Sequence, residues 1–151
     1  TLTHKLFQIL PDLPLATRET AAHRFLTRMG QMLPENIRQD IVRETMAILN
    51  DPVFAAVFGE NSLAEVPVSG DLGDRRMISG QIDRLVIGHN QILIVDFKTN
   101  RPSPRDATDI PDAYRNQLRA YKTALLRIFP DRTVACALLW TDQPVLMPVD
   151  V

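Results

Sequence analysis

The chain has 151 residues and a formal net charge of −1, with 45% hydrophobic and 23% charged residues. This length suits one domain with a real core, and the balanced charge does not mark the chain as a nucleic-acid binder. No apolar run reaches membrane-spanning length and no signal segment precedes the first helix, so we expect a soluble, cytoplasmic protein. Because the sequence starts at Thr1 rather than Met, we expect a single domain, residues 1–151, excised from a longer chain.

Three segments in the first half repeat apolar residues at helical spacing: LTHKLFQIL, TRETAAHRFLTRMGQML and PENIRQDIVRETMAILN. The second and third are predicted to turn apolar stripes towards a core. These stripes are Ala22, Phe25, Leu26, Met29 and Leu33, and then Ile37, Ile41, Thr45 and Ile48. NDPVFAAVFGE is predicted as a short helix, with Asp51 as N-cap, Pro52 at the first position and Gly59 just past the end.

The pattern changes to strands after this helix. Five segments are rich in β-branched residues and bounded by turn residues: AEVPVSG, RRMISGQIDRLVIG, QILIVDFKT, VACALLW and PVLMPVD. A proline-rich loop, NRPSPRDATDIP, and a helix, DAYRNQLRAYKTALLRIF, separate the third strand from the fourth. The predicted fold is therefore α/β, with a mixed central β-sheet flanked by helices and a helical N-terminal half. Cys136, the single cysteine, is expected to be buried and inert.

Two aspartates are predicted to meet on neighbouring strands. The turn GHNQ joins the second and third strands, and a tight hairpin there pairs Leu85 with Ile94, Asp83 with Asp96 and Gln81 with Lys98. On this register Ile82 faces the side opposite to Leu85 and Asp83. Opposed side chains lie roughly 4.5 to 5.5 Å apart at Cβ, where like charges repel. Either a shared proton or a bound cation relieves this repulsion, and a hard divalent ion such as Mg²⁺ fits the oxygen ligands better.

Lys98 follows Asp96 by two residues, so both side chains project from one face of the strand. Beside a metal, a lysine can hold a phosphoryl oxygen and stabilise developing charge. A buried salt bridge between Lys98 and either aspartate is the structural alternative. The surrounding segment, residues 75–127, has ten Lys and Arg against five Asp and Glu, whereas the rest of the chain is acidic. This charge is typical either of a nucleic-acid contact or of an ordinary solvated surface.

The motifs GQIDRL, DFKTNR and YRNQLRAY, in this order between residues 80 and 121, resemble the nuclease domains of the RecB and AddA family. The likeness is greatest to the C-terminal nuclease domain of AddA-type helicase-nucleases. The family lies within the restriction-endonuclease-like superfamily, so the resemblance implies that fold. It also implies a Mg²⁺-dependent, exonuclease-type DNA nuclease acting in double-strand-break repair and recombination, with Mn²⁺ or Ca²⁺ able to replace Mg²⁺ in binding.

The resemblance also implies roles for individual residues. Asp83 and Asp96 bind the metal with the backbone carbonyl of Phe97 and with His4, which matches a histidine of the family's N-terminal helix. Lys98 is the catalytic lysine. Gln117 and Tyr121 belong to the active site and help to hold the lysine and the DNA strand, although Tyr121 also fits a core stripe. Glu65 resembles a glutamate of the first strand, with either a catalytic or a structural role.

The expected partners are DNA, as single strands or unwound duplex ends, an AddB-like subunit and the helicase part of the parent chain. Candidate contacts to DNA phosphates are Arg84, Arg101, Arg105, Arg115 and Arg119. A stand-alone exonuclease or a CRISPR-associated single-strand nuclease is a rival within the superfamily, but one cysteine cannot ligate the iron–sulfur cluster that marks some of them. A degenerate nuclease fold that binds DNA ends or docks a subunit is the non-enzymatic alternative.

Overall fold

A computed structural model describes all residues from 1 to 151. Contacts divide the chain into two compact units, residues 1–59 and residues 60–151. None of the helices combines the length and the apolar character that a membrane crossing requires.

The first unit is helical, as the sequence predicts. Its helices are α1 (Leu2–Ile9), α2 (Leu15–Met29) and α3 (Glu35–Asn50), with short 3₁₀ segments at Leu10–Asp12 and Pro52–Phe54. The hydroxyl of Thr1 caps α1 by accepting a hydrogen bond from the backbone N–H of His4 at 3.2 Å. The buried core of this unit contains Leu6, Leu10, Ala22, Leu26 and Val42.

Two predicted stripe residues are not in the core. Met29 is 62% exposed and Ile37 is 39% exposed, so both of these predictions are wrong. The helix that holds Met29 ends there, because Gly30 follows and is a poor helix former. Leu33 therefore lies beyond the helix whose stripe it was assigned to. The buried faces run through Ala22 and Leu26 in α2 and through Val42, Thr45 and Ile48 in α3.

The segment after α3 forms a single 3₁₀ turn, Pro52–Phe54, rather than a helix reaching Gly59. Its predicted start is confirmed, since Oδ1 of Asp51 accepts a hydrogen bond from the backbone N–H of Val53 at 3.0 Å. Pro52 occupies the first position, where its missing N–H costs nothing. The turn stops early and the chain enters the second unit near residue 60.

The second unit contains the five predicted strands and the crossover helix. The strands are β1 (Ser62–Gly73), β2 (Arg76–Ile87), β3 (Gln91–Lys98), β4 (Thr133–Trp140) and β5 (Val145–Val149), in that order across one sheet. Only β3 and β4 run parallel, because α4 (Asp112–Ile128) carries the chain back between them. The predicted α/β class and mixed sheet are confirmed.

Helix α4 covers one face of this sheet. Leu118, Tyr121 and Leu125 pack from the helix into a core that also includes Ile92 and Ile94 of β3. Asp112 in the first turn and Arg127 in the last complement the helix dipole. Cys136 of β4 lies in the same core, and burial raises the pKa of its thiol to about 11. The prediction of a buried, unreactive cysteine is confirmed.

Candidate active site

Asp83 lies where the pairing of β2 with β3 is interrupted. The antiparallel register follows the predicted one from the turn outwards, but it ends at Arg84 and Val95, one pair before Asp83 and Asp96. Oδ2 of Asp83 instead accepts a hydrogen bond from the backbone N–H of Phe97 at 2.7 Å. The Asp83 carboxylate thus takes the place of a backbone carbonyl and anchors itself on the strand that carries Asp96.

The side-chain alternation of β2 changes at Asp83. Ile82 and Leu85 both lie in the core beneath α4, although residues three apart on a regular strand point to opposite faces. Glu65, opposite Asp83 on β1, has a φ of 54° and no ladder partner. Left-handed backbone is strained for a residue with a side chain. The prediction that Ile82 and Leu85 face opposite sides is wrong because the sheet is irregular between them.

Asp96 and Lys98 form a close ion pair on β3. Nζ of Lys98 lies 2.5 Å from Oδ2 of Asp96, and both side chains are largely buried. The contact joins opposite charges within the protein interior. Burial first, and the negative charge of Asp83 second, raise the pKa of Asp96 to about 6, against the opposing charge of Lys98. The predicted ladder pair of Asp83 and Asp96 is therefore not formed, but the two carboxylates lie near enough for the charge of Asp83 to affect the pKa of Asp96.

The donor set fits a hard divalent cation. Two carboxylates and one ammonium leave a net charge of −1 at a site where the side chains of Asp96 and Lys98 are largely buried. Mg²⁺ is commonly held by one or two carboxylates, with waters and substrate phosphates completing its shell. The chain brings together no group of three or more His, Cys, Asp or Glu side chains with metal-binding geometry. The second unit thus supplies three of the four predicted ligands: the carboxylates of Asp83 and Asp96 and the backbone carbonyl of Phe97.

Tyr121 binds the backbone of β2 two residues before Asp83. Its hydroxyl donates to the carbonyl of Gln81 at 3.0 Å and accepts from the N–H of Gln81 at 3.3 Å. The side-chain amide of Gln117 donates to the same hydroxyl at 3.3 Å. A Cβ on Gly80 would lie 2.7 Å from this oxygen, so glycine is required for the close approach. Gln117 and Tyr121 therefore hold the strand that carries Asp83.

The ammonium of Lys98 also contacts an aromatic ring. Its Nζ lies 3.9 Å from the ring centroid of Tyr114, at the start of α4. Such a contact attracts the cation through the negative face of the ring. The hydroxyl of Tyr114 donates to Oδ1 of Asn100 at 3.3 Å, which connects the helix to the loop after β3. Lys98 is thus held between the carboxylate of Asp96 and Tyr114.

The remaining predicted ligands and Glu65 have separate placements. His4 is half-buried in α1 of the first unit, with Nδ1 2.5 Å from the hydroxyl of Thr1. Phe97 is buried on β3, and its backbone N–H binds Asp83. The carbonyl of Glu65 accepts a hydrogen bond from the side-chain amide of Gln81 at 3.0 Å. The metal-binding roles of His4 and Phe97, like those of Asp83 and Asp96, remain predictions.

The five candidate arginines differ in exposure. Arg101, Arg105 and Arg119 are exposed, and Arg115 is half-buried with its guanidinium donating to the carbonyl of Ala107. Arg84 is only 4% exposed and donates to the hydroxyl of Ser62 at 3.1 Å. A buried guanidinium that bonds within the protein is not presented to a DNA phosphate, so Arg84 leaves the set of proposed DNA contacts.

Sequence reasoning missed two features of this site. One is the hydrogen bond between Asp83 and the backbone of Phe97, for which the sequence carries no signal. The other is the hydrogen bonding of the Tyr121 hydroxyl to the backbone of β2. The glycine at position 80 could have indicated this close contact. A glycine inside a strand often marks the close approach of another group.

Comparison with known proteins places these residues in a family. One solved structure, titled "Crystal structure of SSO0001", is 15% identical with a TM-score of 0.42, and the match covers 98% of this chain and 65% of the other. The chain therefore spans less than two thirds of that protein's length. No curated protein matches the chain. A sequence model described as the PD-(D/E)XK nuclease superfamily matches residues 1–144, which include the helical unit and strands β1 to β4. The chain belongs to the PD-(D/E)XK nuclease superfamily.

Proposed function

We propose that the chain is a Mg²⁺-dependent deoxyribonuclease that hydrolyses phosphodiester bonds from strand ends. The observation that carries this proposal is the cluster of Asp83, Asp96 and Lys98, in which Nζ of Lys98 lies 2.5 Å from Asp96 and the pKa of Asp96 is raised to about 6. Two carboxylates and one ammonium leave a negative charge that a bound cation would balance. Because the chain belongs to a nuclease superfamily, we propose that a cation bound here acts on a phosphodiester.

Each residue of the cluster has a role in this proposal. Asp83 and Asp96 hold the cation, with the carbonyl of Phe97 and His4 as further proposed ligands. When bound, the cation supplies Lewis-acid charge at the scissile phosphate. Lys98 orients the attacking water and stabilises the charge that develops on the phosphoryl oxygens. Gln117 and Tyr121 are positioning residues, because they bind the backbone of β2 rather than the reacting atoms.

The wider context is part of the same proposal. The order of GQIDRL, DFKTNR and YRNQLRAY supports a RecB- or AddA-type nuclease domain of a helicase-nuclease in double-strand-break repair. Strand unwinding then belongs to another part of the parent chain, since these residues contain no G-x-x-x-x-G-K-[ST] phosphate loop. An AddB-like subunit is the proposed protein partner and an unwound DNA strand the substrate.

The test is cleavage of a single-stranded oligonucleotide by the purified chain. We expect hydrolysis that requires Mg²⁺ or Mn²⁺, disappears with EDTA and is absent in the variant Asp96→Asn. Isothermal titration with Mg²⁺ should show binding to the wild type and at least tenfold weaker binding to Asp96→Asn. Binding of the oligonucleotide without hydrolysis at any Mg²⁺ or Mn²⁺ concentration would overturn the proposal and favour a degenerate DNA-end-binding module.

A further inference from the structure

A cavity of about 620 Å³ opens in the second unit between the loop after β3, the start of α4 and the turn after β4. Its volume lies within the range of small-molecule binding sites. Residues from all three elements line it, including Asn100, Ser103, Arg105, Asp109, Tyr114 and Gln143. Neither the metal ligands nor the catalytic lysine of the proposed nuclease belong to this lining.

A single side chain, that of Tyr114, separates the cavity from Lys98. Tyr114 lines the cavity, and its ring contacts Nζ of Lys98 at 3.9 Å. The same nitrogen lies 2.5 Å from Asp96. A strand whose phosphate reaches Lys98 therefore has its neighbouring nucleotide beside the cavity.

The walls of the cavity are held by contacts within the protein. The backbone N–H of Ser103 donates to Oδ2 of Asp142 at 3.1 Å, and Tyr114 donates to Asn100 at 3.3 Å. The guanidinium of Arg115 donates to the carbonyl of Ala107. Partial burial tends to raise the pKa of Asp142, but the hydrogen bonds that Ser103 and Gln143 donate to its carboxylate outweigh this and lower the pKa. A preformed wall loses little conformational entropy when a ligand enters.

The chemistry of the lining suits a base better than a phosphate. Asn100 and Gln143 supply amide donors and acceptors, and Asp109 supplies a carboxylate that would repel a phosphate. These are the groups that pair with the edges of nucleobases. Pro102, Pro104 and the aromatic side chains supply apolar walls.

We infer that this cavity receives one unpaired nucleobase of the strand being cut, a role that rests on the nuclease function proposed above. Arg105, exposed at the cavity, holds the phosphate attached to that nucleotide. The amides and the carboxylate can form hydrogen bonds with the edges of different bases. The site therefore binds a nucleobase without specificity for one kind. A base within a duplex reaches such a site only after leaving its stack, which favours single strands.

The first test uses Trp140 as a reporter. It is the only tryptophan of the chain and it lines the cavity, so its fluorescence responds to an occupant. The full chain is titrated in EDTA with deoxyadenosine 5′-monophosphate and, separately, with 2-deoxyribose 5-phosphate. We expect saturable quenching by the nucleotide and none by the sugar phosphate. Equal responses to both probes, or no response to either, would overturn the inference.

The second test measures single-turnover cleavage of an oligonucleotide that carries one abasic residue. We expect the phosphate next to the missing base to be cut roughly tenfold more slowly than in the intact strand, in line with the loss of one stacked base. The variant Gln143→Phe fills the cavity and should slow cleavage of the intact strand by a similar factor. Pro144→Phe, one residue further along the same exposed turn and outside the lining, is the matched control and should cut normally.

The outcomes separate the two proposals. If the intact strand is cut in Mg²⁺ but the abasic residue and Gln143→Phe change nothing, the base site is wrong and the nuclease stands. If the intact strand is not cut in Mg²⁺ or Mn²⁺, the nuclease function itself fails. Unfolding midpoints of Gln143→Phe and Pro144→Phe within a few degrees of wild type confirm that both variants are folded.

Discussion

The carboxylate of Asp83 and the backbone N–H of Phe97 are joined by a hydrogen bond of 2.7 Å at the point where β2 and β3 stop pairing. The bond fixes one acid on the strand that carries the other, so the two carboxylates remain close although their charges repel. Asp83 therefore has a structural role in addition to the proposed binding of a metal. The two roles can be separated by substitution.

Asp83→Asn and Asp83→Ala should both abolish Mg²⁺-dependent cleavage, because each removes the negative charge of a proposed metal ligand. Their stabilities should differ. The asparagine carbonyl can still accept from Phe97, whereas alanine leaves that buried N–H unpaired, which costs about 1 to 3 kcal/mol. Urea unfolding in EDTA measures the difference. Equal free energies of unfolding for the two variants would show that the hydrogen bond contributes nothing.

The limits of sequence reasoning are visible around this bond. The hairpin register followed from the GHNQ turn, and it placed the two acids together because turn length fixes which residues are opposed. The alternation of side chains between the two faces of a strand then gave the wrong face for Ile82 relative to Leu85. The backbone of Glu65 has a left-handed conformation, and the pairing of β1 with β2 is interrupted at Asp83. A local irregularity of this kind depends on tertiary contacts, and alternation of apolar residues does not encode it.

The sequence also predicted only part of which residues of α2 and α3 face the core. The spacing that identified α2 and α3 was right, since each segment is a helix. Which residues face the core was only partly right, because Met29 and Ile37 are exposed. Periodicity predicts which face of a helix is apolar, but the element that packs against the helix determines which residues at the margins of that face are buried.

Lys98→Ala should lower the single-turnover cleavage rate by roughly 10²- to 10³-fold, the loss typical of one group that stabilises transition-state charge. Lys5→Ala, an exposed lysine of α1, is the matched control and should retain the wild-type rate. Circular dichroism should show the same helix and strand content in both variants. Mg²⁺-dependent cleavage at the wild-type rate by Lys98→Ala would remove the lysine from the mechanism.

The raised pKa of Asp96 makes the metal-free protein less stable as pH increases. Burial and Asp83 raise this pKa from 3.8 in the unfolded chain to about 6 in the folded one. The folded state therefore binds the proton more tightly, and the stability this gives is present below pH 3.8 and lost as pH rises to 6. The full loss is about 3 kcal/mol. We expect the variant Asp96→Asn to lack this decline.

Urea unfolding in EDTA between pH 4 and pH 7.5 measures the effect. Comparing the wild type with Asp96→Asn cancels the titration of other carboxylates. Metal binding should show the complementary dependence, with affinity for Mg²⁺ increasing through pH 6 as the Asp96 proton is released. Parallel stability profiles for the two proteins would show that Asp96 ionises normally.

Arg105→Ala should weaken binding of single-stranded DNA and make it less sensitive to salt. Each lost phosphate contact is expected to reduce the slope of log K against log salt by about 0.7. Arg132→Ala is the control, since Arg132 precedes β4 whereas Lys98 and the cavity lie at the opposite end of the parallel pair β3 and β4. Fluorescence anisotropy in EDTA measures both slopes without cleavage. Equal slopes for wild type and Arg105→Ala would exclude this contact.

Gly80→Ala should destabilise the second unit and slow cleavage, because its Cβ would lie 2.7 Å from the hydroxyl oxygen of Tyr121. Tyr121→Phe should also destabilise it, since the backbone of Gln81 loses a donor and an acceptor. The double variant should be more stable than the sum of the single effects predicts, because removing the hydroxyl relieves the closest contact. A double-mutant cycle of unfolding free energies measures this coupling, expected at about 0.5 to 3 kcal/mol. Strict additivity would mean that Gly80 and Tyr121 act on the site independently.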